Sequence, residues 1–264
     1  MKYIFVLLCL IAELFADALT SPIVTLNENT ATINIEKIDV GMSGFVVHKL
    51  ADSHSSILKN AVVKSFDANT KIATLELNDF NGLKNNSLPS GKWQVKVGDM
   101  VVLAFGYTRG FLVAPSEEIY HRVTKATQHL QWIHPDIFAT ILSMNGHPTP
   151  LKEDFDRLSD VASVGLVFFY LDKRLFTLDA QSFEILNISD APLLQETAQL
   201  PFYTRILEID ADWWGEGSDA LEVYEPHYYE LMATHNKQNA KLFDIIKNGD
   251  EKIHFLLKNF EIKE

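Results

Sequence analysis

Cysteine is almost absent from the sequence, and what is missing alongside it narrows the possible functions early. The single cysteine, Cys9, lies in an apolar run at the start of the chain, so everything after it must hold together without disulfides. The same absence excludes a thiolate metal site and a cysteine nucleophile from the rest of the protein. Leu8 stands before Cys9, where a lipidated signal would carry a small residue. Long hydrophobic runs are missing too. The first, Tyr3 to Ala12, has ten residues, and a later block, Val164 to Leu171, has strand length. Both fall short of the roughly 20 apolar residues that span a bilayer as a helix. Positive charge is scarce: 23 Lys and Arg face 35 Asp and Glu, for a net charge of −12. Such a chain is repelled by nucleic acid and by anionic lipid surfaces.

What is present begins with an export pattern. Lys2, the apolar run and the small-residue stretch Ala16-Asp17-Ala18 describe a cleavable secretory signal spanning residues 1–18, with Ala16 and Ala18 at the cleavage site. The protein is thus expected to be exported, to begin near Leu19 in its mature form and to carry no membrane-spanning segment. Residues 1–18 hold one basic and two acidic side chains, so 22 basic and 33 acidic groups remain. With 17 Phe and 47% hydrophobic residues, the chain has ample core material.

The pattern then divides. A β-rich domain is expected over residues 19–115: residues 22 to about 113 alternate like a sheet and return repeatedly to turn residues, giving six or seven short strands. Thr30 to Lys37 alternates Ile33 and Ile35 with polar neighbours. Asp67-Ala68-Asn69-Thr70 is a hairpin signal, and Gly98-Asp99 is a tight turn between Trp93–Val97 and Met100–Phe105. Gly41 and Gly44 are read as a sharp bend or bulge between strands. Residues 116–264 change period. Helices are expected over Glu117–Leu130, Pro135–Met144, Lys152–Ala162, Glu225–Ile246 and Glu251–Phe260, and strands over Val164–Leu171, Arg174–Leu178 and Phe202–Ile209. The fold class is α+β: a small antiparallel β-barrel or sandwich-like domain, then a mixed α+β domain with C-terminal helices.

Chemistry-bearing constellations are few. The densest is EIDADWWGEGSDALEVYEPHYYE, Glu208 to Glu230, with eight carboxylates and no Lys or Arg. Asp210, Asp212 and Gly215 begin like a calcium loop, but Trp214 and Leu221 stand where oxygen ligands belong. Carboxylates beside Trp213 and Trp214 suit sugar stacking, and a Glu/Asp pair suits glycoside chemistry. The alternative is an acidic loop whose aromatics anchor it to the core. The nine histidines are scattered, with no pair at the helical i, i+4 spacing of a zinc site, and they read as solvated. No Gly-x-Ser-x-Gly and no phosphate-binding glycine loop occurs. The expectation is a binding protein with no catalytic residue, no metal and no cofactor.

The segments INIEKIDVGMSGFVVHKL (residues 33–50), AVVKSFDANTKIATLEL (61–77) and VKVGDMVVLAFGYTRGFLVAP (95–115), following an export signal, resemble the N-terminal domain of the bacterial plasminogen-binding surface proteins. The resemblance implies a virulence-associated protein at the cell surface that captures host plasminogen through its lysine-binding kringle modules. Such sites recognise an ammonium and a carboxylate together, with aromatics around the aliphatic stem. Here the sequence ends Phe260-Glu261-Ile262-Lys263-Glu264, so Lys263 is penultimate and would act with Glu264 as a pseudo-lysine. Lys258 and Glu261, three apart, form a second candidate pair. Two alternatives are a periplasmic or envelope structural protein sharing the fold, and a glycan-binding envelope protein using Trp213, Trp214, Asp210 and Asp212.

Overall fold

The computed structural model describes residues 18–51, 54–80, 93–195 and 197–260. Ala16 of the expected cleavage site, and Glu261, Lys263 and Glu264 of the expected lysine-type ligand, lie outside the described residues. Ala18 is exposed, directly ahead of the first strand. The chain forms two compact units that divide between Tyr107 and Thr108.

The first unit is a closed six-stranded antiparallel barrel. Its strands are β1 (Leu19–Asn27), β2 (Thr30–Asn34), β3 (Ser43–Ala51), β4 (His54–Asp67), β5 (Ile72–Asp79) and β6 (Met100–Leu103), in the order β1-β2-β5-β4-β3-β6, with β6 returning to β1. Period-two alternation fills the interior: Ile33, Val46, Ala61, Val63, Ala73, Leu75, Val101 and Leu103 have no exposed surface, while their neighbours along each strand face outward. The β4–β5 hairpin closes as its sequence suggests. Asn69 N donates to Asp67 Oδ1 at 2.8 Å and the Thr70 hydroxyl to Asp67 Oδ2 at 2.9 Å, which holds that carboxyl below its ordinary pKa.

Gly41 has φ +92°, as a bend before β3 requires. Gly44 serves a different purpose. A Cβ at this position would lie 2.0 Å from the Val102 carbonyl oxygen, so glycine lets β3 approach the β6 backbone. Trp93–Val97 forms no strand. Its backbone turns back instead, with Lys96 N donating to the Asp99 carboxylate at 2.8 Å and Gly98 N to Ile23 O at 2.9 Å. Strand β1, unmarked in the sequence reading, runs from Leu19.

The second unit contains a five-stranded sheet in the order β11-β10-β9-β7-β8, built from β7 (Arg109–Val113), β8 (Gln131–Ile133), β9 (Leu166–Leu171), β10 (Arg174–Asp179) and β11 (Ile185–Asp190). Strand β7 runs parallel to β8 and β9, and the other pairs are antiparallel. Sequence reasoning places Arg109–Val113 in the first domain; hydrogen bonding puts it in the second sheet. Helices α1 (Glu117–Ala126), α2 (Pro135–Asn145), α3 (Lys152–Ala162), α4 (Tyr224–His235), α5 (Ala240–Lys247) and α6 (Phe255–Asn259) complete the unit, with a 3₁₀ turn at Glu251–Ile253. All six β9 residues are buried, the mark of a central strand.

The helix expected over Glu251–Phe260 is a 3₁₀ turn followed by α6, and three further elements differ through contacts with residues distant in sequence. The helix expected over Glu225–Ile246 is two. Asn236 interrupts it by donating to Phe183 O at 3.0 Å and accepting from Ile185 N at 2.8 Å, and Asn239 caps α5 by accepting from Leu242 N. Helix α1 ends at Ala126 because residues 131–133 pair with β7 as a strand. Phe202–Ile209 forms no strand, since its polar groups bond to helix α2 and its neighbours. The core is rich in aromatics: Phe111, Phe138, Phe155, Phe169, Phe183 and Phe202 are fully buried within one apolar cluster.

Candidate functional site

Between β11 and α4 the chain runs for more than thirty residues with no helix or strand among those described. A loop of this length is functional more often than it is a plain connection. Pro192, Pro201, Gly215 and Gly217 interrupt regular structure, and the last two glycines have φ of +126° and +84°. The loop is nevertheless fixed. At its base Tyr228 donates to Pro201 O at 2.7 Å, and Tyr203 to the Glu117 carboxylate at 3.2 Å.

Asp136, in the first turn of α2, makes the strongest clamp. Its carboxylate accepts from the Thr204 hydroxyl (2.9 Å), Arg205 N (2.9 Å) and Arg205 Nε (2.8 Å), and Arg205 Nη2 lies 2.7 Å away. Partial burial pushes the Asp136 pKa up. The Arg205 backbone and guanidinium and the Thr204 hydroxyl outweigh it, and hold the group at about 2. A carboxyl with a depressed folded-state pKa contributes stability above its unfolded value, and the contribution fades as pH falls from 3.8 towards about 2. Asp136→Asn is therefore expected to cost about 1–2 kcal/mol at neutral pH. In thermal melts between pH 5 and about 2, the gap between wild type and variant should close through that window. A pH-independent gap would show that the charge is not what matters.

Further along, the loop is tied to the last turn of α2 and to the α2–α3 connection. Asp210 N donates to Ser143 Oγ at 3.1 Å and Asp212 N to Gly146 O at 3.0 Å. Thr149 donates from its amide to Gly217 O at 3.1 Å and from its hydroxyl to Asp219 O at 2.7 Å. Gly146 has φ +71°, and a Cβ there would meet Asp212 Cγ at 2.4 Å, so the helix end and the loop fit only because this residue is glycine.

This anchoring separates the aromatics that the sequence groups together. Tyr224, Tyr228 and Tyr229 are buried on α4 and serve the core. Trp213 and Trp214 do not: they are 96% and 84% exposed, Leu207 is fully exposed, and Asp210 and Asp212 stand in solvent beside them. Burying the aromatics to anchor the loop thus describes the tyrosines alone. The same loop lines an open groove of about 320 Å³, with Ile206, Leu207, Ile209 and Leu221 among its apolar residues and Thr204, Glu208 and Ser218 among its polar ones.

The histidines are not uniformly solvated. His147 Nδ1 lies 3.0 Å from the carboxylate of Asp154, which is fully buried and caps α3 by accepting from Leu151 N. His227 Nε2 donates to Pro150 O at 2.9 Å, and burial lowers its pKa. The partners of both come from the α2–α3 connection or α3, invisible to a search for i, i+4 pairs. No group of three or more His, Cys, Asp or Glu among the described residues is placed to hold a metal ion. Nor is any described helix long and apolar enough to cross a membrane. Lys258 is exposed on α6.

Residues 18–232 match the family model for the N-terminal region of plasminogen-binding protein pgbA. The chain belongs to this family. Two plasminogen-binding proteins PgbA, from Helicobacter pylori strains J99 and 26695, are each 28% identical over 205 residues. The alignments cover 76% of this chain and 44% of the relatives, so the chain spans about half the length of the curated proteins it matches. No solved structure matches. The PgbA-type match takes in the whole barrel, the sheet and the acidic loop, and ends within α4, ahead of Lys258.

Proposed function

We propose that this chain is an exported, non-enzymatic binding protein that captures host plasminogen at the bacterial surface through lysine side chains. The observation that carries the reading is membership of the PgbA N-terminal family across residues 18–232. The export pattern of residues 1–18 and the plasminogen-binding names of both relatives point the same way. Lys258, exposed near the end of α6, and Lys263 with Glu264 are the candidate ligands for a lysine-binding kringle. An ammonium there would be taken by kringle carboxylates and a neighbouring carboxylate by a kringle cation.

Binding of the purified protein to immobilised plasminogen, with and without 6-aminohexanoic acid, tests the mechanism. The analogue should abolish binding. Lys258→Ala and loss of Lys263 and Glu264 should each weaken it severalfold, and binding untouched by the analogue would overturn lysine dependence. Larger C-terminal truncations would not serve, because Leu242, Ile246, Ile253 and Leu256 belong to the core. Export to the outer face is checked by protease treatment of intact cells, which should degrade the protein.

A further inference from the structure

We propose that the groove between Ile206, Leu207 and Leu221, on the loop that also displays Trp213 and Trp214, is a docking site for a cationic peptide segment of a partner protein that inserts an aliphatic side chain. The site is separate from the lysines of the preceding reading, so either proposal can fail without the other.

Three observations carry it. First, the apolar surface is displayed on a held loop. Leu207, Trp213 and Trp214 project from a segment fixed by Asp136–Arg205 below and by the Ser143, Gly146 and Thr149 hydrogen bonds above. An exposed indole on a rigid backbone loses little conformational freedom on binding, which is why tryptophan is enriched among residues that dominate interface energies. Second, aliphatic side chains and prolines line the groove together with Thr204, Glu208 and Ser218, and its volume of about 320 Å³ admits one or two aliphatic side chains with a polar or charged neighbour. Third, the charge has one sign. Among the described residues, Glu208 is the one charged residue lining the groove, the loop from Glu208 to Glu222 carries five further carboxylates and no Lys or Arg, and the nearby Arg205 is engaged by Asp136. Charge complementarity selects a partner with Lys or Arg flanking its apolar anchor, and indole faces add cation–π attraction. A second copy of this chain would bring a second set of the same carboxylates and be repelled.

The test uses the purified protein and two short fluorescein-labelled peptides, one alternating lysine and leucine, the other glutamate and leucine. Anisotropy and the protein's own tryptophan emission are the readouts. The lysine–leucine peptide should bind, shift the emission to the blue and weaken as salt is raised, while the glutamate–leucine peptide should not bind. Trp213→Ala with Trp214→Ala leaves the net charge unchanged, so it separates docking from general attraction to an acidic protein. This variant should lose about tenfold or more in affinity, and Leu207→Ala should lose severalfold. Because all three side chains are exposed, the variants should keep the wild-type melting temperature. Full binding by the tryptophan double variant would overturn the proposal, as would equal binding of both peptides. A blue shift that follows protein concentration alone would replace it with self-association, and one produced only by chitin oligosaccharides would replace it with glycan binding.

Discussion

Phe155→Ala is expected to lower the stability of the second unit by about 3–5 kcal/mol, a large part of what a domain of this size possesses. Phe155 has no exposed surface, and its ring centroid lies 4.6 Å from that of Phe138, 5.3 Å from Phe183, 5.5 Å from Phe169 and 6.3 Å from Phe111. Removing it forfeits its own burial and leaves four rings facing a cavity. They are carried by strand β7, helix α2, strand β9 and the β10–β11 connection, so they cannot all close in together. Urea unfolding followed by circular dichroism reads the loss as a lower midpoint with an unchanged slope. A cost below about 1 kcal/mol would mean that the cluster collapses around the gap.

The barrel should be as sensitive at a residue with no side chain. Gly44→Ala places a Cβ 2.0 Å from Val102 O, 2.7 Å from Leu103 Cα and 2.9 Å from Val102 C. All three are backbone atoms, so no rotamer change relieves the clash. Gly44 is paired with Leu103, and β3 would have to lift away from β6 at a seam of the closed barrel. The expected cost is about 3 kcal/mol or more, the upper range for overpacking. Gly98→Ala is the control. With φ +92° but nothing within 4 Å, it carries backbone strain alone and should cost about 1–2 kcal/mol. Equal destabilisation by the two would show that the close approach of β3 to β6 is not the reason for glycine at residue 44.

Much of the architecture was legible because local signals agreed with the tertiary outcome. Thr30–Asn34, the first part of the alternation read to Lys37, pairs as a barrel strand, Asp67-Ala68-Asn69-Thr70 carries its own turn hydrogen bonds, and Lys152–Ala162 is a helix over the expected span. The failures are places where a distant partner decides. Asn236 breaks a helix because Phe183 and Ile185, more than fifty residues away, take its side chain. Trp93–Val97 has a strand's composition, yet the Asp99 carboxylate turns its backbone.

The acidic loop shows the same division. Its composition was plain in the sequence, but five aromatics in a row of carboxylates do not say which are buried. Helix α4 decides: Tyr224, Tyr228 and Tyr229 ride on it into the core, whereas Trp213 and Trp214 precede it on backbone held from beneath. Arg205 and Asp136 could not be paired from sequence, being 69 residues apart.

The way each sheet ends bears on how the protein behaves when crowded. A barrel closed by β6 on β1 offers no unpaired strand to a neighbouring chain. The second sheet has two ends, and each is blunted. Strand β8 is only three residues long, and on β11 the Lys241 ammonium donates to Ile188 O at 3.0 Å while Ile185 N gives its hydrogen to Asn236. A molecule packed densely with its own kind therefore offers little backbone for strand-by-strand templating, and should resist conversion into fibrils even though it has no disulfide to lock its fold.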